Sequence, residues 1–163
     1  MGRFARLASL GLMLPLIVAA AACRQPPTPG GAADFRAAAA GTDWELIELA
    51  GQPAPTGAGG RRATIRFEPD TSRVAGFAGC NRYFGTYTLE GKTIRFGPIG
   101  MTRMACAEGM TLENQLATAL EATRSYELAT FDLSIDRDRV GEMKRLTLIG
   151  SSGPVAVFTR RMP

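Results

Sequence analysis

Three cysteines and two pairs of carboxylates are the residues through which this chain could do chemistry. Cys23 ends an apolar N-terminal run, and Cys80 and Cys106 stand 26 residues apart further on. Glu108 with Glu113, and Asp132 with Asp136, are near enough in sequence to act as acid and base in a carboxylate-based hydrolysis of envelope polymers. Histidine is absent from the 163 residues. That removes Ser-His-Asp and Cys-His nucleophiles, histidine general bases and every zinc site that needs imidazole. No catalytic residue, resident metal or cofactor is assigned from the sequence.

The first cysteine is explained by what precedes it. Arg3 and Arg6 form a positive n-region, and Leu7 to Ala22 form an apolar run of 16 residues interrupted by Ser9, Gly11 and Pro15. A spanning helix needs about 20 apolar residues, so residues 1–22 read as a signal peptide. One reading is an ordinary signal cleaved after small residues, with Cys23 incidental. The preferred reading is a lipobox. Ala20-Ala21-Ala22-Cys23 resembles the motif ahead of the lipidated cysteine of bacterial lipoproteins, although position −3 there more often holds Leu, Val or Ile. The expected location is the cell envelope, lipid-anchored through Cys23. Because Arg24 and not Asp follows, the destination in a diderm host is the outer membrane, facing the periplasm.

The formal net charge of +4 falls to +2 once Arg3 and Arg6 leave with the signal. A nearly neutral mature chain gives no argument for nucleic acid, and Arg61-Arg62 and Arg160-Arg161 read as solvated ends. Residues 24–41 carry three prolines, three glycines and one aromatic residue. Such a segment is expected to be a tether, because it offers too little apolar area to offset its ordering entropy. Its typical reach is roughly 25 Å. The folded domain is then expected over residues 42–163.

Within that domain most segments alternate as strands: Trp44 to Leu49, Ala63 to Phe67, Val74 to Gly79, Tyr83 to Leu89 and Thr93 to Phe96. Four shorter ones follow at 126–129, 133–136, 145–149 and 155–160, with a turn expected over 138–142. Glu90-Gly91-Lys92 reads as a tight hairpin turn. Glu108 to Thr123 breaks the rhythm. Leu112, Leu116, Ala119, Leu120 and Thr123 recur at helical spacing, and Glu108 would complement the helix dipole in the first turn. The fold class is α+β, mostly β: a curved antiparallel sheet or cracked β-barrel of about eight strands with one amphipathic helix. Ile65, Phe67, Phe96, Leu116 and Leu120 are expected between sheet and helix.

With Cys23 spent on lipid, Cys80 and Cys106 remain as an even pair in an oxidising compartment, which favours a disulfide. A thiolate pair for a soft metal such as Cu(I), with Met101, Met104 and Met110 nearby in sequence, is the alternative, and free thiols are the third. Gly57 to Gly60 lacks the Lys-Ser/Thr of a phosphate loop, and Asp132, Asp136 and Asp138 lack calcium-loop spacing.

Gly76-Phe77-Ala78-Gly79-Cys80-Asn81-Arg82-Tyr83, followed by Gly85-Thr86-Tyr87, gives the pattern G-x-x-G-C-N-x-Y-x-G-x-Y. Ile99, Thr102-Arg103-Met104-Ala105-Cys106, Glu113 and Leu120 follow, and Trp44-x-Leu46 opens the domain. This set resembles the META domain, the HslJ-like family of bacterial envelope proteins, over nearly all of the mature chain. The resemblance implies a small barrel-like β fold with one helix, commonly secreted or lipid-anchored. It also implies association with heat shock, stress response and resistance to the antibiotic novobiocin, and in some members with motility or virulence. It supplies no catalytic residues. Its fold is similar to that of secretin pilot lipoproteins, whose cracked barrel holds an apolar cavity, which is analogy at the level of fold.

The motif residues also have a structural reading. Gly76 and Gly79 permit strand curvature or close backbone approach. Asn81 tolerates the left-handed region and can bond nearby backbone amides. Gly85 lets Tyr83 and Tyr87 pack without a side chain between them. Thr102 and Arg103 are the members most open to another role: a buried Arg103 would need a partner, with Glu113 the candidate. The expected function is a non-enzymatic, membrane-anchored binding module for an envelope protein partner or an apolar ligand. A carboxylate hydrolase and a soft-metal binder are the alternatives.

Overall fold

The computed structural model describes residues 31–39, 41, 43–136 and 139–161, and the side chains of 132–136, 139–141 and 161 lie outside the description. Cys23 and the signal segment 1–22 also lie outside the described residues. Ten strands form one antiparallel sheet. They are β1 (Asp43–Leu49), β2 (Gln52–Pro53), β3 (Thr64–Glu68), β4 (Arg73–Phe77), β5 (Arg82–Glu90), β6 (Thr93–Phe96), β7 (Gly100–Met101), β8 (Ser125–Asp136), β9 (Arg139–Ile149) and β10 (Pro154–Arg161). Two helices accompany them, α1 (Ala32–Ala39) and α2 (Met110–Ala122). The chain is thus α+β and mostly β, as its alternation predicts.

Eight of the strands close a ring in the order β1-β3-β4-β5-β6-β8-β9-β10, with β10 returning to β1. The closing pair sets Leu46 opposite Phe158 and Leu49 opposite Ala156, with a bulge between Leu46 and Glu48. The ring is uneven. β6 and β8 share the single register pair Thr93–Ser125, reinforced by Ile94 N–H to the Arg124 carbonyl and Tyr126 N–H to the Lys92 carbonyl. β2 adds to the edge of β1, and β7 to β5.

Alternation dictates the core. On β1, Trp44, Leu46 and Leu49 are buried while Asp43, Glu45 and Glu48 are exposed. Ile65 and Phe67 of β3, Tyr83 and Tyr87 of β5, and Leu146 and Leu148 of β9 complete the inward face. α2 packs on β1, β6 and β10 and sends Leu112, Leu116 and Leu120 into the same cluster. Phe96 is only partly buried, against that cluster.

Three elements depart from the sequence expectation. The first is the tether. Residues 32–39 are helical, and Phe35 and Ala39 are buried in the core. One aromatic residue is too little apolar area to fold a segment alone, but this ring enters a cluster already made by other strands. The second is the long hairpin. The short strands at 126–129 and 133–136 are one strand, β8, and β9 runs unbroken from Arg139 where a turn was expected to Glu142. Exposure of Ala129, Thr130 and Phe131 removes the alternation that would have announced it. The third is the start of α2. Glu108 precedes the helix, and Gly109 is its N-cap in left-handed geometry without a side-chain cap. Glu113 is the acidic residue of the first turn. No helix among the described residues is long and apolar enough to cross a membrane.

Candidate functional site

The G-C-N motif follows β4 and opens β5, and the structure brings it against the segment before α2. Cys80 and Cys106 form a disulfide with Cα atoms 5.8 Å apart. Both sulfurs are therefore spent, and the soft-metal alternative has no thiolate to use. The staple joins the β4–β5 connection to the loop entering α2, so α2 is fixed covalently to the sheet it covers.

Asn81 is the centre of the surrounding hydrogen bonds. Its backbone N–H donates to Glu113 Oε2 at 2.7 Å, and its side-chain amide donates to Glu113 Oε1 at 3.3 Å. The same amide donates to the Met104 carbonyl at 3.0 Å, and Oδ1 accepts from Met104 N–H at 2.7 Å. Thr102 Oγ1 donates to Oδ1 at 2.9 Å and accepts from Arg82 N–H at 3.1 Å. Asn81 and Glu113 are both buried. A buried carboxyl group of this kind is tolerable because hydrogen bonds to its oxygens replace those of water.

The arrangement closes two readings that the sequence left open. Arg103 is exposed and does not pair with Glu113; the buried partner of Glu113 is Asn81. Asn81 does not use the left-handed backbone it could tolerate: among the described residues, those with positive φ other than glycine are Ala50 and Ser72. Its role is to bond backbone groups, as its side chain suggested, across a sequence distance that local motifs do not reveal.

Gly76 and Gly79 are required by contact. A Cβ on Gly76 would run into the Thr64 carbonyl and the Tyr83 ring. Gly79 has φ +116°, and its carbonyl accepts from Ala58 N–H at 2.6 Å. Gly85 lies on β5 between the buried Tyr83 and Tyr87 and faces Ile99. Tyr83 donates its hydroxyl to the Thr64 carbonyl at 2.9 Å, and burial, helped by Asp43, pushes its phenol far above the ordinary range.

As chemistry, the motif is a knot whose polar atoms are mutually occupied. Glu113 presents its carboxylate to Asn81, while Glu108 is exposed ahead of the helix, so these two acids do not share a cleft. The side chains of Asp132 and Asp136 lie outside the described residues.

Two surface concavities accompany the knot, one clear of the motif and one bordered by its Gly76, Arg82, Tyr83 and Thr102. One, of about 480 Å³, runs between the β1–β2 turn and α2. Leu49, Pro53, Pro55, Ala119, Ala122 and Val155 form its apolar lining, and Gln52, Asn114 and Gln115 stand at its polar positions. The other, also about 480 Å³, lies on the outer face of β3–β5 among Arg66, Arg82 and Phe84, with Asp43 beside them. A groove assembled from a turn, one helix face and the start of β10 leaves no contiguous signature, which is why sequence reasoning missed it.

An eight-strand ring, a helix stapled across it and a buried Asn–Glu knot define a small, disulfide-locked β domain. The chain belongs to the META domain family, whose profile matches residues 37–163. At the level of the family this supports an envelope-associated role. The chain is also similar to the NMR structure of a protein from Burkholderia xenovorans, at 20% identity and a TM-score of 0.56, over 98% of this chain and 99% of that one. That likeness concerns the fold. No curated protein matches the sequence.

Proposed function

We propose that the protein is a non-enzymatic binding module, exported and held at the envelope membrane by lipid on Cys23, which docks a protein partner in the groove between the β1–β2 turn and α2. The observation that carries this reading is the contrast between knot and groove. The polar side-chain atoms of Asn81, Thr102 and Glu113 are satisfied within the knot, whereas Gln52, Asn114 and Gln115 make no side-chain hydrogen bond among the described residues. An apolar trough with carboxamides beside it suits a peptide segment: its side chains fill the trough while the amides bond its backbone. In a diderm host the module would face the periplasm from the outer membrane.

The test has two parts. Mass spectrometry of the protein from its host should find a diacylglyceryl adduct on Cys23; an unmodified N-terminus would end the anchoring reading. A photo-crosslinker at Gln115 should give a defined protein adduct that disappears with Ala122→Glu at unchanged melting temperature. A second reading, an apolar ligand, is favoured instead if native mass spectrometry of the delipidated mature chain finds it reloaded with fatty acid or phospholipid.

A further inference from the structure

Phe35 supplies an observation that the groove does not use. It sits on an eight-residue helix, and its ring is fully buried among rings from three strands. The centroids lie 4.9 Å from Phe67 of β3, 6.2 Å from Tyr87 of β5 and 4.6 Å from Tyr126 of β8. Ala39, one turn later, is the other buried residue of α1, while Ala33, Asp34, Arg36 and Ala37 are exposed. The helix therefore enters the barrel through one ring and one methyl group.

Four further observations bear on whether that occupant is permanent. An isolated helix of this length is marginal in water, so α1 is ordered by its docking. The part of the chain matched by the family begins at residue 37, beyond Phe35. The buried Tyr87 hydroxyl finds no hydrogen-bond partner among the described residues. Gly41, at φ +69°, lies in the connection to β1, where a left-handed residue can turn the chain.

We infer that the aromatic socket beneath α1 is a second binding site, held in the resting chain by Phe35 and open in exchange to a segment of another protein. The partner segment carries an aromatic ring and a small residue four positions later, matching Phe35 and Ala39. It adds a hydrogen-bond acceptor for Tyr87 Oη, which finds none among the described residues. Tyr126 Oη, now within 3.2 Å of the Gly31 and Gly91 carbonyls, stands where it can bond an incoming backbone in place of Gly31. Because the resident helix competes, a partner binds the intact protein more weakly than one whose plug has lost its ring.

The probe is a fluorescent peptide with the sequence of residues 31–41, titrated into the full-length protein. Phe35→Ala protein should bind it saturably and about tenfold or more tighter than wild type, and a peptide carrying Ala at position 35 should not bind. A cooperatively melting Phe35→Ala protein that ignores the peptide overturns the inference. Should that variant not fold, hydrogen exchange on the wild type decides. The α1 amides should exchange about 100-fold or more faster than those of Leu146 and Leu148, through a local opening. Equal rates would make α1 a permanent part of the core and overturn the inference. A wild-type dimer that Phe35→Ala dissolves would assign the socket to a second copy and overturn the partner reading. The groove proposal stands or falls separately, because Ala122→Glu leaves the socket untouched.

Discussion

Asn81 and Glu113, 32 positions apart, meet through two hydrogen bonds, from the Asn81 backbone N–H to Oε2 and from its side-chain amide to Oε1. This pair ties the β4–β5 connection to the first turn of α2, beside the disulfide that does the same covalently. Removing either partner leaves buried donors or acceptors unsatisfied. Asn81→Ala and Glu113→Ala should each cost about 2–4 kcal/mol in urea unfolding. The double variant should fall short of the sum by about 1 kcal/mol or more, and strict additivity would contradict the coupling.

The Cys80–Cys106 disulfide closes a loop of 26 residues. In the chain-entropy account such a closure stabilises by about 3–4 kcal/mol. Cys80→Ser with Cys106→Ser should lower the urea midpoint accordingly, with an m-value that rises as the unfolded chain expands. A midpoint unchanged by the double substitution would mean the knot alone holds α2.

Two buried tyrosines on β5 should respond oppositely to loss of their hydroxyls. Tyr83 Oη donates to the Thr64 carbonyl, so Tyr83→Phe should cost about 1–2 kcal/mol at neutral pH. Tyr87 Oη is buried without a partner among the described residues, so Tyr87→Phe should be neutral or stabilising. Equal costs for the two would refute the distinction.

The same phenols set an alkaline limit. Burial, aided by Asp43, raises Tyr83. Burial raises Tyr87 too, against the lowering influence of Arg36 and with the help of Asp70, and burial with Asp34 raises Tyr126. The native state therefore keeps protons that the unfolded chain releases near pH ~10. Their contribution is complete below that pH and is lost as pH rises toward the native values. Unfolding free energy should be flat in pH from these groups through neutrality and fall above about pH 10. A Tyr83→Phe variant should show a shallower fall.

What was legible in the sequence follows from range. Alternation over Ile65–Phe67 and Tyr83–Leu89, and over Trp44–Leu46 up to the bulge in β1, marks strands because one face of each is buried. The amphipathic stripe of Leu112, Leu116 and Leu120 marks α2 for the same reason, and the two cysteines left in the domain mark the disulfide. Relationships made by folding alone stay hidden. No local pattern says that Glu113 serves Asn81 and not Arg103, or that Phe35 in an alanine- and glycine-rich segment finds three rings. The groove beside α2 is equally silent, since Pro53, Ala119 and Val155 come from three separated segments.

Gly76 and Gly91 separate two reasons for glycine, and their substitution tests the barrel's packing directly. Gly91 turns the β5–β6 hairpin at φ +56° with open space where a Cβ would go. Gly91→Ala should therefore cost only the left-handed backbone penalty, about 1–2 kcal/mol, and Gly91→Asn less. Gly76 is the reverse case: its β4 backbone is not left-handed, but an added methyl meets the Thr64 carbonyl and the Tyr83 ring. Thr64 also accepts the Tyr83 hydroxyl, so the methyl would push apart β3 and β4 and break that hydrogen bond together. Gly76→Ala should cost about 3 kcal/mol or more, measured by thermal unfolding, and Tyr83→Phe in that background should add little because its bond is already lost. If Gly76→Ala were milder than Gly91→Ala, β3 and β4 would not be in the close contact that seats Tyr83 in the core.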